Sequence, residues 1–210
     1  LQLLAQARDG IIVRGKDSLK GQRVSIKKVA KISNISDAKC LLQQILVCKA
    51  GKIDHVMEII DIIYHPVRNE NLGDIYLVSS SMETSLEKII SSRQQLSQDH
   101  VAYFTYVLLR GLNYLHSLNI SSIGLCPNHF LINCNEDMKF SNFKPHSNWN
   151  PYSPPGHHHQ KAAADDIWSL GCIFAALILR KPLFHSDNDT QTFKSLPKDF
   201  QNIDEECRDL

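Results

Sequence analysis

The 210-residue sequence has no charge of either sign to spare, no paired-cysteine framework and no apolar run long enough to cross a bilayer. Lys and Arg number 23 against 22 Asp and Glu, a net charge of +1. No global field therefore draws the chain to nucleic acid or to an anionic membrane, and neither is expected as a partner. The six cysteines, at 40, 48, 126, 134, 172 and 207, form no CxxC and sit in a chain too large to need stapling. Free thiols in a reducing compartment are expected. The longest apolar run, Ile167 to Leu179, has 13 residues where a span takes about 20. It predicts a helix buried on all sides. The start, LQLLAQARDG, has no Met and no basic-apolar-small order, so the expectation is a fragment without a signal peptide.

What is present is a 43% hydrophobic composition that suits one large domain or two small lobes. Val24-Ser25-Ile26-Lys27-Lys28 is a β-branched run after the turn DSLKGQR, and Ile75 to Val78 follows another turn. Between them, SDAKCLLQQILVCKAG predicts an amphipathic helix capped by Ser36, packed through Ala38, Leu41, Leu42, Ile45 and Leu46, and ended by Gly51. From residue 96 the pattern turns helical. Ser97 precedes a long helix with Val101, Phe104, Leu108, Leu112 and Leu115 on its core face. A hairpin pairing FLIN with MKF follows, and SNWNPYSPPGHHHQK predicts loop. Three adjacent histidines, 157 to 159, with no Cys or carboxylate cluster beside them, read as a solvated loop, and Asp165 as a helix start; no metal site is expected there. Strands with one helix, then a helical half, make an α+β two-lobe plan.

The order of these segments resembles the protein kinases, most closely the mitogen-activated protein kinases. VSIKK resembles the strand motif V-A-I-K, and DIYLVSSSMETSLEKII the strand, hinge and helix that follow it. LSQDHVAYFTYVLLRGLNYLHS resembles the long helix before the catalytic loop, and DIWSLGCIFAALILRKPLF the central helix of the large lobe. The resemblance implies a protein kinase-like fold: a β-rich N-lobe over residues 1–80 and a helical C-lobe over 81–210, lacking its last helices. It also implies a cytoplasmic or nuclear protein.

Carried over residue by residue, the resemblance implies a frame without its working groups. Lys27 stands at the phosphate-gripping lysine, but Gln44 replaces its glutamate partner. Of the glycine-rich loop only Gly10 matches, with Ala5 and Ala7 at the other two glycines. Ile12 and Ser25 roof the adenine pocket, Ser79 stands at its rear, Met82 at the hinge and Leu131 beneath. Ser122-Ile123-Gly124-Leu125-Cys126-Pro127-Asn128-His129 aligns with H-R-D-L-K-P-x-N. Gly124 thus replaces the catalytic base, Cys126 the lysine and His129 the metal-binding Asn. Asn142-Phe143-Lys144 aligns with D-F-G, so an amide replaces the second metal ligand. Asp166 stands at the aspartate that braces the catalytic loop, and A-P-E reads Pro154-Pro155-Gly156. No intact catalytic residue and no magnesium site is expected, and ATP binding, where it occurs, is expected to be weak. The implied function is a pseudokinase that binds signalling proteins or docking peptides, with His100, Tyr103, Tyr106 and Asn113 lining a groove or merely exposed. The alternatives are a weak, unconventional serine/threonine kinase and a decayed or incomplete gene product.

Overall fold

The computed structural model describes residues 1–7, 10–49, 55–66, 73–121, 124–133, 135, 137–141, 151–154 and 162–184. It forms two compact units, Leu1–Ser85 with His129–Lys144, and Leu86–Asn128 with Pro145–Leu210. The α+β assignment holds. The first unit carries a five-stranded antiparallel sheet of β1 (Gln2–Ala7), β2 (Gly10–Lys16), β3 (Arg23–Val29), β4 (Ile59–His65) and β5 (Asp74–Ser80), in the order β1-β2-β3-β5-β4. Helix α1 (Ile35–Lys49) lies between β3 and β4 in the chain. A second small sheet pairs β6 (Thr84–Ser85), β7 (Phe130–Ile132) and β8 (Met138–Phe140).

Local chemistry sets the turns. Asp17 Oδ1 accepts from the amides of Leu19 (2.8 Å) and Lys20 (3.2 Å), and Gly21 supplies the left-handed residue, φ 68°. These amide bonds hold the Asp17 carboxyl below the usual carboxylate range. In the β7–β8 hairpin Asn133 Oδ1 accepts from the amides of Asn135 and Asp137 in the same way.

Gly10 is buried with φ 141°, a conformation L side chains avoid, and a Cβ there would overlap the carbonyl oxygen of Lys28. Gly10→Ala is therefore expected to cost about 2 kcal/mol or more, read as a lower denaturant midpoint at unchanged slope. An unchanged midpoint would show that the β1–β2 hairpin gives way freely.

Two expectations for α1 change. Its cap is Asn34, whose Oδ1 accepts from the Asp37 amide at 2.9 Å, rather than Ser36. Leu42 and Leu46 are 56% and 58% exposed and Ala38 is exposed, while Val47 and Cys48 are buried. Apolar residues occupy most of the helix circumference, so they do not fix its rotation. A long-range bond instead joins the half-buried Gln44, its Nε2 donating to the Ser141 carbonyl at 3.2 Å. Gly51 lies outside the described residues.

The second unit is built from α2 (Leu86–Ser91), α3 (Gln98–Ser117) and α4 (Ala162–Leu179). Ser97 caps α3 in a reciprocal box with His100, and Phe104, Val107, Leu108, Leu112 and Leu115 are buried along one face. Helix α4 buries Leu170, Ile173, Ala176 and Leu177, but Ile167, Phe174 and Ile178 are exposed. The expectation of burial on all sides is thus corrected: an apolar residue at each position shows that a helix tolerates burial, not that something covers every face. Arg180 ties the end of α4 to α2, its Nη2 donating to the carbonyls of Ile89 (2.6 Å) and Ser92 (2.8 Å). No helix among the described residues is long and apolar enough to cross a membrane.

Candidate functional site

Directly opposed residues of paired strands share a face of the sheet. The register pairs Ile12 with Lys27 and Lys27 with Leu77, then Arg14 with Ser25 and Ser25 with Ser79, while Gly10 pairs with Val29. Gly10, Ile12, Ser25, Lys27 and Ser79, scattered over 70 residues of sequence, therefore lie on one face. Alternation sends Lys28 to the other face. There its ammonium meets Asp74 Oδ2 at 2.6 Å and lies 5.8 Å from the Tyr76 ring centroid. The hydrogen bond between them raises the Lys28 pKa and lowers that of Asp74.

On the shared face, Lys27 and Gln44 line one cavity of about 260 Å³ between β3 and α1, with Lys31, Ser33, Asp37 and Cys40. The register and the helix thus bring together the two residues expected to face each other. Gln44 places an amide there, bonded to Ser141, and the lining carboxylate is Asp37, in the first turn of α1. Burial pushes the Cys48 thiol up to about 12, against the opposing pull of the Lys27 charge.

At the other end of this face the sequence reading missed a residue. Arg14 reaches from β2 to the hinge segment, Nε donating to Ser81 Oγ at 3.1 Å and Nη2 to the Met82 carbonyl at 3.0 Å. The signal was an arginine two residues after Ile12, and strand periodicity alone puts the two on one face. Met82 is buried and Leu131 is half-buried on β7, paired with Ser85 and Lys139.

The catalytic-loop positions are divided between the units. In the second unit Gly124 is half-buried with φ 55°, a left-handed turn that glycine enters without cost. Cys126 is buried, and its thiol donates to Asn128 Oδ1 at 2.7 Å. Asp166 is 1% exposed and sits 2.9 Å from His116 Nε2 of α3. Tyr152 is buried, which pushes its hydroxyl pKa up to about 12. In the first unit His129 is buried and its carbonyl accepts from both the amide (2.8 Å) and the hydroxyl (2.9 Å) of Ser141. Ser141 is thereby held from two sides, by His129 and by Gln44. Asn142, Phe143, Lys144, Gly156 and His157 to His159 lie outside the described residues.

Of the groove candidates on α3, Tyr106 is 51% exposed and Asn113 shares its outward side, together with Leu109 and Arg110. Arg110 donates to the Tyr106 hydroxyl at 2.6 Å and lies over its ring. His100 is engaged in the cap, and Tyr103 is half-buried with its ring 5.8 Å from that of Phe104.

Comparison with known proteins agrees with this architecture. The family described as protein kinase domain matches residues 2–209. Extracellular signal-regulated kinase 1 of Dictyostelium discoideum is 37% identical over 202 residues, covering 83% of this chain and 36% of the relative. Mitogen-activated protein kinase 6 of Oryza sativa subsp. japonica is 36% identical over 203 residues, covering 88% and 53%. Mitogen-activated protein kinase 4 of Arabidopsis thaliana is 36% identical over 200 residues, again 88% and 53%. The chain spans about half the length of these relatives or less. With its strand order, its Lys27 face and these matches, the chain belongs to the protein kinase domain family and is similar, within it, to the mitogen-activated protein kinases.

Proposed function

We propose that this chain is a mitogen-activated-protein-kinase-like pseudokinase domain, which acts by binding signalling proteins rather than by transferring phosphate. The observation that carries the reading is Gly124: the position aligned with the catalytic base has no side chain and takes a left-handed backbone, φ 55°. Beside it, the residue aligned with the catalytic lysine is a buried thiol bonded to Asn128. At the metal positions the sequence offers the buried imidazole of His129 and the amide of Asn142. Magnesium prefers hard oxygen ligands in octahedral geometry; the His129 imidazole offers nitrogen, and the Asn142 amide offers a neutral oxygen where the family has a charged carboxylate, so the pair fits it poorly. Nucleotide binding is then weak and insensitive to magnesium. The second reading, a weak serine/threonine kinase, draws on Lys27, which keeps the phosphate-gripping position beside α1, and on the kinase relatives.

The partner surface that fits best is the outward side of α3, where Tyr106, Leu109 and Asn113 are exposed. In the family this neighbourhood takes short docking peptides. Here apolar anchors would supply most of the affinity, because Arg110 disfavours basic residues at the centre of the patch. Titration of a labelled apolar docking peptide is expected to saturate with the wild type and to weaken at least about fivefold with Tyr106→Ala. No saturable binding to a protein shown by circular dichroism to be folded ends the docking idea.

A further inference from the structure

The five-stranded sheet ends at β1 and β4, and the two edge strands differ in what they offer a further strand. The β1 sequence, QLLAQA, has no charge to fix a partner's register. On β4 the irregularity between Ile59 and Asp61 and the proline at 66 bound a regular run of five residues, Asp61-Ile62-Ile63-Tyr64-His65. All but Ile62 are exposed, Ile63 at 47% and Tyr64 at 56%. None is Lys or Pro, the residues that commonly blunt such an edge.

One bond fixes which backbone groups of this run face outward. Asp61 Oδ1 accepts from the Ile62 amide at 2.7 Å, so that N–H points away from β5. Alternate residues of an antiparallel strand turn their N–H and C=O to the same side, so Tyr64 also faces outward while Asp61, Ile63 and His65 face β5. Side chains alternate as well: the register puts Ile62 and Tyr64 on the face of Lys27, and Asp61, Ile63 and His65 on that of Lys28. The Tyr64 hydroxyl accepts from the Gly73 amide at 3.2 Å, which holds the ring in place before any contact forms. Run antiparallel to itself about a two-fold axis at Ile63, the stretch DIIYH is then its own complement. Ile62 stands opposite Tyr64 of the second copy at both hydrogen-bonding positions, a β-branched residue against an aromatic. Ile63 meets Ile63 on the axis, and Asp61 meets His65 at each end, carboxylate against imidazole. A slip of one residue sets outward backbone groups against inward ones and loses the ladder.

We propose that the chain pairs with a second copy of itself through β4, in this register, joining the two sheets into one. The contact is a two-fold one, in which each copy presents the same five residues. Asp61 changes partner: its carboxylate leaves the Ile62 amide, which then donates to the Tyr64 carbonyl of the second copy, and turns to that copy's His65. A ladder of five residue pairs is small beside the roughly 1,200–2,000 Å² of stable interfaces, so the dimer forms only in concentrated solution or where another contact holds two copies together.

The test is sedimentation velocity of the full chain from micromolar to millimolar concentration. The wild type is expected to move from monomer toward dimer as concentration rises. Ile63→Lys sets two ammonium groups across the axis and should weaken association at least about tenfold, with the circular dichroism spectrum unchanged because the side chain is exposed. His65→Asp opposes carboxylate to carboxylate at both ends, and Asp61→Lys removes the acceptor, so each protein alone should stay monomeric. Mixed in equal amounts these two should associate again, since each supplies what the other lacks. A wild type that stays monomeric at millimolar concentration, which would leave the edge to an extended segment of a different protein, overturns the proposal. So does a folded Ile63→Lys protein that associates as the wild type does, or a mixture no more associated than its separate components.

Discussion

Gly124→Asp, made alone, is expected to leave phosphotransfer at background. A general base contributes roughly 10²- to 10⁴-fold, and only when the groups it works with are already in place. Here the residues aligned with the metal ligands are His129 and Asn142, and the one aligned with the lysine is Cys126, whose thiol is buried. Catalytic groups that act as a unit are strongly non-additive, so returning one of four returns little. The backbone adds a second obstacle: φ 55° at Gly124 costs an L residue about 1–2 kcal/mol, although aspartate tolerates it better than most. Only a variant that also carries Cys126→Lys, His129→Asn and Asn142→Asp is expected to gain turnover. A hundredfold rise from Gly124→Asp by itself would mean that the metal and phosphate are already held.

Phe140→Ala is expected to be the most damaging single truncation in the first unit. Phe140 is fully buried and meets Phe130 edge to face, with ring centroids 4.3 Å apart. Its amide donates to the His55 carbonyl at 2.9 Å and its carbonyl accepts from the Met57 amide at 2.8 Å. The side chain thus fills the point where the small hairpin joins the segment leading into β4. Emptying such a site costs about 3–5 kcal/mol, and the lost aromatic pair is part of that sum. Against a typical domain stability of about 5–15 kcal/mol this is a large fraction of what keeps a domain folded. A denaturant midpoint shifted by the equivalent of less than about 1 kcal/mol would show that the hairpin is not integral to the unit.

The strands and the long helix were legible because their signals are local. A β-branched run and an apolar run, each after a turn, mark β3 and β5, the Ser97 cap and three-four spacing mark α3, and FLIN and MKF mark the hairpin. The rotation of α1 was not legible, because a bond between Gln44 and Ser141, 97 residues apart, fixes it while apolar residues surround the helix. Arg14 escaped notice for the same reason: its partners Ser81 and Met82 lie 67 and 68 residues away. That the residue aligned with the base is Gly124 was plain in the sequence, yet only the backbone reveals its left-handed conformation, φ 55°. The candidate site was therefore readable in its residue types and strand phase, and unreadable wherever a long side chain decides what occupies the face.

The central claim, that the chain keeps the kinase frame without its phosphotransfer chemistry, is tested most directly by incubating purified wild type and Lys27→Ala with radiolabelled ATP, magnesium and generic protein substrates. The prediction is label incorporation, into substrate or into the chain itself, that is indistinguishable between the two proteins. Incorporation that persists through successive purification steps in the wild type and vanishes in Lys27→Ala would contradict it.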